Sequence, residues 1–130
     1  MRHWHEVKRF SKDQFTVVWD WRFEDQPLRD CFDPEFEELE EMERRCKTGI
    51  DTHYIARVRF LYDGAEMGEA QLGSCYASDC DPGDDMTLSL RCSGHVEDMM
   101  EEAESEARER CVEMLEMLKR DFLGVDTAAS

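Results

Sequence analysis

Carboxylates recur at helical spacing in the last third of the chain. From Ser93 to Gly124 the apolar residues keep steps of three and four, which predicts one long amphipathic helix of roughly seven or more turns. Carboxylates four residues apart on a helix lie about 6 Å apart along its axis, so rows of them resemble a track of phosphates. The predicted partner contacts on this helix are Asp98, Glu101, Glu102, Glu109, Val112, Glu113 and Glu116.

Like charges stand four residues apart along this face, as in the pairs Asp98 and Glu102 or Glu109 and Glu113. Each such pair costs a few tenths of a kcal/mol of helix stability. A face selected for helix stability alone would contain more lysine. Two interpretations stay open at this stage: an ordinary solvated face of an acidic protein, and an acidic surface that binds a partner.

An earlier helix is predicted to begin at Asp33-Pro34-Glu35, because aspartate caps helices and proline suits their first position. Gly49 supplies its end. Its apolar stripe is Phe36, Leu39, Met42 and Cys46. Its outward acids form a second predicted contact track, which consists of Glu37, Glu38 and Glu41.

A zinc site is the alternative chemistry. Cys75 and Cys80 are separated by four residues, and Cys92 and His95 by two. Three thiolates and an imidazole suit tetrahedral zinc, although nearby aspartates add surplus negative charge. The competing interpretation is three incidental thiols and a histidine at a helix start, so the cofactor prediction is none, with zinc as the alternative.

Alternation of apolar and polar residues predicts strands over residues 15–23, 53–62 and 87–92. Asp63-Gly64 after the second of them predicts a tight hairpin, whose return strand runs over residues 65–76. The element order is therefore β-α-β-β-β-α, and the predicted fold is α+β: an antiparallel sheet of three to four strands with two helices packed on one face. Residues 1–12 are predicted to be a short basic lead-in, 13–124 a single domain, and 125–130 a tail.

Composition excludes several classes of protein. The chain has 130 residues and a net charge of −16, which suits one domain and opposes direct binding to nucleic acid. No apolar run approaches a membrane span, and no apolar run follows the N-terminus as in a secretory signal. We therefore expect a cytoplasmic protein whose six cysteines stay reduced. No catalytic signature is present, so we expect no enzyme.

Two resemblances follow from these features. The predicted α-β-β-β-α order over residues 33–123 resembles a double-stranded-RNA-binding domain, but the start of the last helix, Ser93-Gly94-His95-Val96-Glu97-Asp98, is acidic where that family is basic. In size and charge the chain is similar to small acidic phage inhibitors of host defence, among them anti-CRISPR and anti-restriction proteins. Several of these imitate nucleic acid. They share no motif, so no site residues are transferred from them.

The sequence thus predicts a non-enzymatic protein that inhibits a nucleic-acid-binding partner by occupying its basic groove, in the host-cell cytoplasm if the protein is viral. One alternative is a small zinc-stabilised structural or adaptor domain. A third hypothesis is an accessory protein that forms oligomers through the strand of Trp19 and Trp21. The predicted oligomeric state is monomer or homodimer.

Overall fold

The computed structural model describes residues 3–32 and 38–124. Within them, a four-stranded antiparallel sheet has the strand order β1-β2-β3-β4, and α-helices flank it, so the α+β prediction is confirmed. The strands are β1 (His5–Lys12), β2 (Phe15–Phe23), β3 (Thr52–Tyr62) and β4 (Ala65–Ala77). The helices are α1 (Leu28–Cys31), α2 (Leu39–Lys47), α3 (Pro82–Asp85) and α4 (His95–Leu123), with a π-helical segment (Met86–Leu90) directly after α3.

The main core lies between α4 and one face of the sheet. Alternate residues of the two central strands point into it, among them Val17, Tyr54, Val58 and Phe60, and all four are fully buried. Helix α4 contributes Met99, Ala103 and Ala107 to the same core. Burial of this alternating apolar face is what holds the long helix on the sheet.

Gly68 lets α4 approach the sheet closely. A Cβ atom at this position would lie 2.1 Å from the backbone oxygen of Ala103 and 2.8 Å from the backbone nitrogen of Ala107. The β3–β4 register also shifts here, between Phe60 and Leu61. Gly68 thus marks both a bulge and a site of close packing.

The β3–β4 hairpin forms at the predicted dipeptide. Tyr62 pairs with Ala65, and Asp63 and Gly64 both adopt positive φ, at 50° and 82°. Positive φ at both central residues matches the turn geometry that suits the right-handed twist of strands. The hairpin prediction is confirmed.

The predicted lead-in over residues 1–12 differs from the structure, because His5–Lys12 forms β1 and pairs antiparallel with β2. The sequence is largely polar there, and Val7 and Phe10 are its only aliphatic or phenyl side chains. Backbone hydrogen bonds to β2 make it a strand all the same. It is an edge strand with three cationic side chains, which is how many sheets protect an edge from further pairing.

The predicted strand over residues 87–92 is wrong, because residues 82–92 are helical. The side chain of Asp81 accepts a hydrogen bond from the Gly83 N–H at 2.8 Å, and Pro82 occupies the first turn of α3. This start signal overrides the short alternation that follows. The predicted order is wrong as well, and with it the topological likeness to the RNA-binding domain.

The two predicted helices do not share one face of the sheet. Cys75 belongs to the core beside α4, whereas the next residue, Tyr76, points to the other face. There its hydroxyl donates a hydrogen bond to Asp51 and contacts the carbonyl oxygen of Met42 in α2 at 3.5 Å. Helix α2 therefore lies on the side of the sheet opposite α4.

Helix boundaries agree with the sequence at their C-terminal ends. Gly49 and Gly124 follow α2 and α4 with φ of 81° and 66°, as predicted for helix stops. The predicted start of the earlier helix at Asp33-Pro34, with Phe36, lies outside the described residues. At the start of α4, Gly94 takes the cap position. The hydroxyl of Ser93 donates a hydrogen bond to the Leu90 carbonyl and does not cap the helix.

Candidate protein-interaction surface

Helix α4 presents its acids on the side away from the sheet. Its 29 residues extend about 44 Å. At 100° per residue, Asp98, Glu102 and Glu109 lie within 40° of one another, and each is about 100° or more from the buried Ala103 and Ala107. We name the outward set the acidic face. It comprises the predicted contacts Asp98, Glu101, Glu102, Glu109, Val112, Glu113 and Glu116, and every one is exposed.

The carboxylates of the acidic face have no cationic partners. Within residues 3–32 and 38–124, no Lys, Arg or His nitrogen lies at ion-pair distance from Asp98, Glu102 or Glu109. The same is true of Glu101, Glu113 and Glu116. Over residues 94–107 the sequence has six acidic side chains and no Lys or Arg. Of these six acids, Glu104 is paired with Lys12 and Arg108, and the outward Asp98, Glu101 and Glu102 form no ion pair among the described residues.

Glu104, on the flank of α4, differs from the acidic face because its carboxylate is paired with cations. Its carboxylate accepts hydrogen bonds from Lys12 of β1 and from Arg108, whose Nη2 lies 2.9 Å away. Arg108 also pairs with Asp13 at 2.7 Å. The hydrogen bonds from Lys12 and Arg108 lower the pKa of Glu104. Where α4 meets the sheet, its charge is neutralised.

Charges on the opposite face of the sheet are also paired. Asp20 is only 2% exposed, and Arg57 donates to both of its oxygens at 2.8 and 2.6 Å. Arg59 adds a third contact at 3.3 Å. The Arg57 guanidinium lies 3.7 Å from the centroid of the Trp4 ring, a cation–π contact. Asp20 is thus paired with two arginines on this face, although Nε of Arg59 is buried without a hydrogen-bond partner among the described residues.

The second predicted track is not joined to the first. Glu38 is exposed, but Glu41 accepts a hydrogen bond from Arg44 Nε at 3.0 Å, and this bond lowers its pKa. Glu37 lies outside the described residues. Because α2 is on the other side of the sheet, Glu38 and Glu41 do not extend the acidic face.

The predicted zinc ligands are only partly brought together. Cys75, Cys80 and His95 line one cleft of about 510 Å³, and Cys92 is not among its lining residues. The Cys75 thiol is buried beside the Leu72 carbonyl, and burial raises its pKa to about 11, which opposes the thiolate that zinc requires. In the part of the chain that the structure describes, no three His, Cys, Asp or Glu residues are grouped to hold a metal ion.

The strand of Trp19 and Trp21 is not an open interface. Strand β2 lies between β1 and β3, so its backbone is paired on both sides. Trp19 is 2% exposed in the core, and Trp21 stacks on His5 at a centroid distance of 4.4 Å. Pairing of this strand with the same strand of a second copy is therefore a wrong prediction, because β1 already pairs with its free edge.

An apolar surface appears where sequence reasoning predicts a buried stripe. Leu115, Leu118 and Phe122 continue the helical spacing of the core residues, yet they are 52%, 45% and 79% exposed. Helix α4 crosses β4 at Gly68, which lies against Ala103 and Ala107. Gly68 is four residues from the β3–β4 turn, a distance of about 13 Å along the strand. Helix α4 covers that distance in about nine residues, so its last turns project past the sheet. Periodicity alone contains no signal for this overhang.

Comparisons with protein-family models, with curated proteins and with solved structures found no match to this chain. The class of protein that fold and surface define is an α+β domain with a long helix, acidic outward over its first half and apolar over its last turns. Among the described residues, no helix is both long and apolar enough to cross a membrane.

Proposed function

We propose that this chain is a non-enzymatic inhibitor that occupies the basic groove of a nucleic-acid-binding protein with the acidic face of α4. One observation carries the proposal: exposed carboxylates follow one side of a rigid helix and have no cationic partners among the described residues. The proposal includes a cytoplasmic site of action and a role against host defence, as in the phage inhibitors that the chain resembles in size and charge.

The placement of paired and unpaired acids supports this function. Acids that stabilise the fold, such as Asp20, Asp51 and Glu104, each accept hydrogen bonds from an arginine. Among residues 3–32 and 38–124, the acids of the α4 face form no ion pair, and their mutual repulsion costs helix stability. A groove rich in Lys and Arg would supply the missing cations.

The physics of such a complex sets two expectations. A strongly negative surface steers a basic partner, so association is fast at low ionic strength and slows as salt is added. The contacts fall along one helix, so a partner that grips a nucleic-acid strand would receive carboxylates at several-ångström intervals. Nucleic acid and this chain would then compete for the same groove.

The test compares two charge-reversed variants. The first has Asp98→Lys, Glu102→Lys and Glu109→Lys on the acidic face. The control has Asp30→Lys, Glu40→Lys and Asp84→Lys, three exposed acids on other elements, so both variants change the net charge equally. Each tagged protein is used to capture partners from a host lysate at about 50 and 500 mM salt, and captured partners are then tested for release of a labelled nucleic acid.

We expect wild type and the control to capture a nucleic-acid-binding protein at low salt and to release its nucleic acid. The acidic-face variant loses both properties while its circular dichroism stays unchanged. Equal capture by both variants, or captured proteins that do not bind nucleic acid, would contradict the proposal.

A further inference from the structure

The apolar overhang of α4 is an exposed apolar surface at the C-terminal end of this helix. We define it as Cys111, Leu115, Leu118 and Phe122, which lie on one side of the helix and continue the face that packs on the sheet. Beside it is a groove of about 500 Å³ between α4 and the tips of the strands, lined by Phe15 and Tyr62 as well as by overhang residues. Exposed aliphatic and aromatic side chains in such a cluster mark an interface.

Charge on this part of α4 indicates what covers it. Residues 108–123 contain four acidic and four basic side chains, so the segment is neutral, whereas the whole chain has a net charge of −16. Two copies of so acidic a chain repel one another over most of their surfaces. The overhang is an apolar segment at which a second copy approaches without that repulsion.

The spacing within the overhang is symmetric. Steps of four, three and four residues separate its members, so the set reads the same in both directions about a midpoint between Glu116 and Met117. Alternating steps of four and three residues are those of the a and d positions of a coiled-coil seam. In an antiparallel pair about a two-fold axis, Leu115 faces the partner's Leu118, and Cys111 faces the partner's Phe122.

The flanking charges agree with that seam. Glu109, Glu113 and Glu116 lie on the opposite side of the helix and stay in solvent when two overhangs pair. The seam places the partner's Phe122, 79% exposed in one copy, beside Cys111 at the groove. An interface in which each copy contributes the same patch is the isologous contact of a two-fold dimer.

We infer that the overhang of α4 binds a second copy of this chain as an antiparallel helix pair, and that the groove beside it receives the partner's Phe122. The inference is independent of the proposed function, because the acidic face points away from the seam and remains exposed in the dimer. Apolar pairing also persists at high salt, whereas binding through the acidic face is lost there.

The test is sedimentation equilibrium of the full chain from about 1 to 100 μM in high salt, for wild type and two variants. Leu118→Glu places a charge in the centre of the seam. Leu88→Glu is the matched control, because Leu88 is 66% exposed on the π-helical segment, far in sequence from the overhang. Circular dichroism verifies that each variant is folded.

We expect wild type and Leu88→Glu to form dimers within this range, and Leu118→Glu to remain monomeric with at least a tenfold weaker association. A wild type that stays monomeric at the highest concentration overturns the inference. So does a Leu118→Glu variant that dimerises like wild type, or a wild type that assembles beyond a dimer. None of these results bears on partner capture by the acidic face.

Discussion

The two halves of α4 differ in their contacts with the sheet and in their charge. Residues 95–107 are anchored through Met99, Ala103 and Ala107, which are buried against the sheet, and their outward side is uncompensated acid. Residues 108–123 are neutral in charge. Cys111 still packs against the core, and beyond it the apolar side at Leu115, Leu118 and Phe122 is exposed past the end of the sheet. One continuous helix thus has a part that folds the domain and last turns that contribute little to its core. Helix periodicity is the same in both halves, so the difference in burial comes from tertiary placement, whereas the difference in charge is a property of the sequence.

The largest expected effect comes from filling the space at which the anchored half touches β4. Gly68→Ala places a Cβ 2.1 Å from the Ala103 backbone oxygen, so helix and strand must separate. We expect a loss of about 3 kcal/mol in the free energy of unfolding, measured by urea denaturation.

Gly73→Ala is the matched control for that substitution. Its Cβ would meet only the end of the Glu24 side chain, at 3.3 Å, which can move aside. We expect its unfolding free energy to change by less than about 1 kcal/mol. Equal losses in the two variants would show that close packing at Gly68 is not what anchors α4.

A pair of alanine substitutions, one in each half of α4, compares the contributions of the two halves to the unfolding free energy. Met99→Ala leaves a cavity in the core and should cost about 2–3 kcal/mol of unfolding free energy. Phe122→Ala removes a side chain that is 79% exposed and should change the same quantity by less than about 0.5 kcal/mol. Both are measured by urea denaturation at a protein concentration where sedimentation shows a monomer, so that association does not contribute. A cost at Phe122 that equals the cost at Met99 would mean that the overhang packs on its own domain.

Much of the sheet was predictable from sequence because its signals are local. The alternation over β2 and β3 and the dipeptide Asp63-Gly64 are properties of neighbouring residues, and the structure follows them. Strand β1 was missed because its side chains are mostly polar, and its pairing depends on backbone bonds that have no sequence pattern. Its turn also uses Asp13-Gln14, with Asp13 at a φ of 55°, in place of a glycine-containing pair.

The sequence contains a helix-start signal for residues 82–92, but a weaker pattern that follows it favours a strand. Asp81-Pro82 is the same kind of helix start as Asp33-Pro34, yet the alternation of Leu88 and Leu90 favoured a strand. Leu88 is exposed and Leu90 only half-buried, so that alternation had no core to face. A short apolar pattern specifies a strand only when one face is buried, and burial is not visible in the sequence.

The candidate surface was likewise only partly predictable from the sequence. Helical spacing was enough to place the acidic face, because the outward side of an amphipathic helix follows from its period. The overhang was not predictable, since it depends on where α4 crosses Gly68 and on how many residues remain beyond that crossing. Pairing of acids also escaped prediction where it joins distant elements, as in Asp20 with Arg57 or Glu104 with Lys12.

A loss of stability smaller than those at Gly68 and Met99 is expected near the junction of the two halves, where Glu104 joins α4 to β1. Its pKa is lowered from 4.5 by the hydrogen bonds from Lys12 and Arg108. A carboxyl group with a lowered folded-state pKa contributes stability that is present above its unfolded value and is lost as pH falls through the folded value. We expect Glu104→Gln to cost about 1 kcal/mol of unfolding free energy at pH 7, since the ion pairs are only partly buried. Urea denaturation of both proteins at several pH values measures this difference, which should shrink progressively below pH 4.5 and disappear once Glu104 is protonated in the folded state. A difference that persists unchanged at low pH would mean that the contact is one of shape and not of charge, and that α4 is joined to β1 by packing alone.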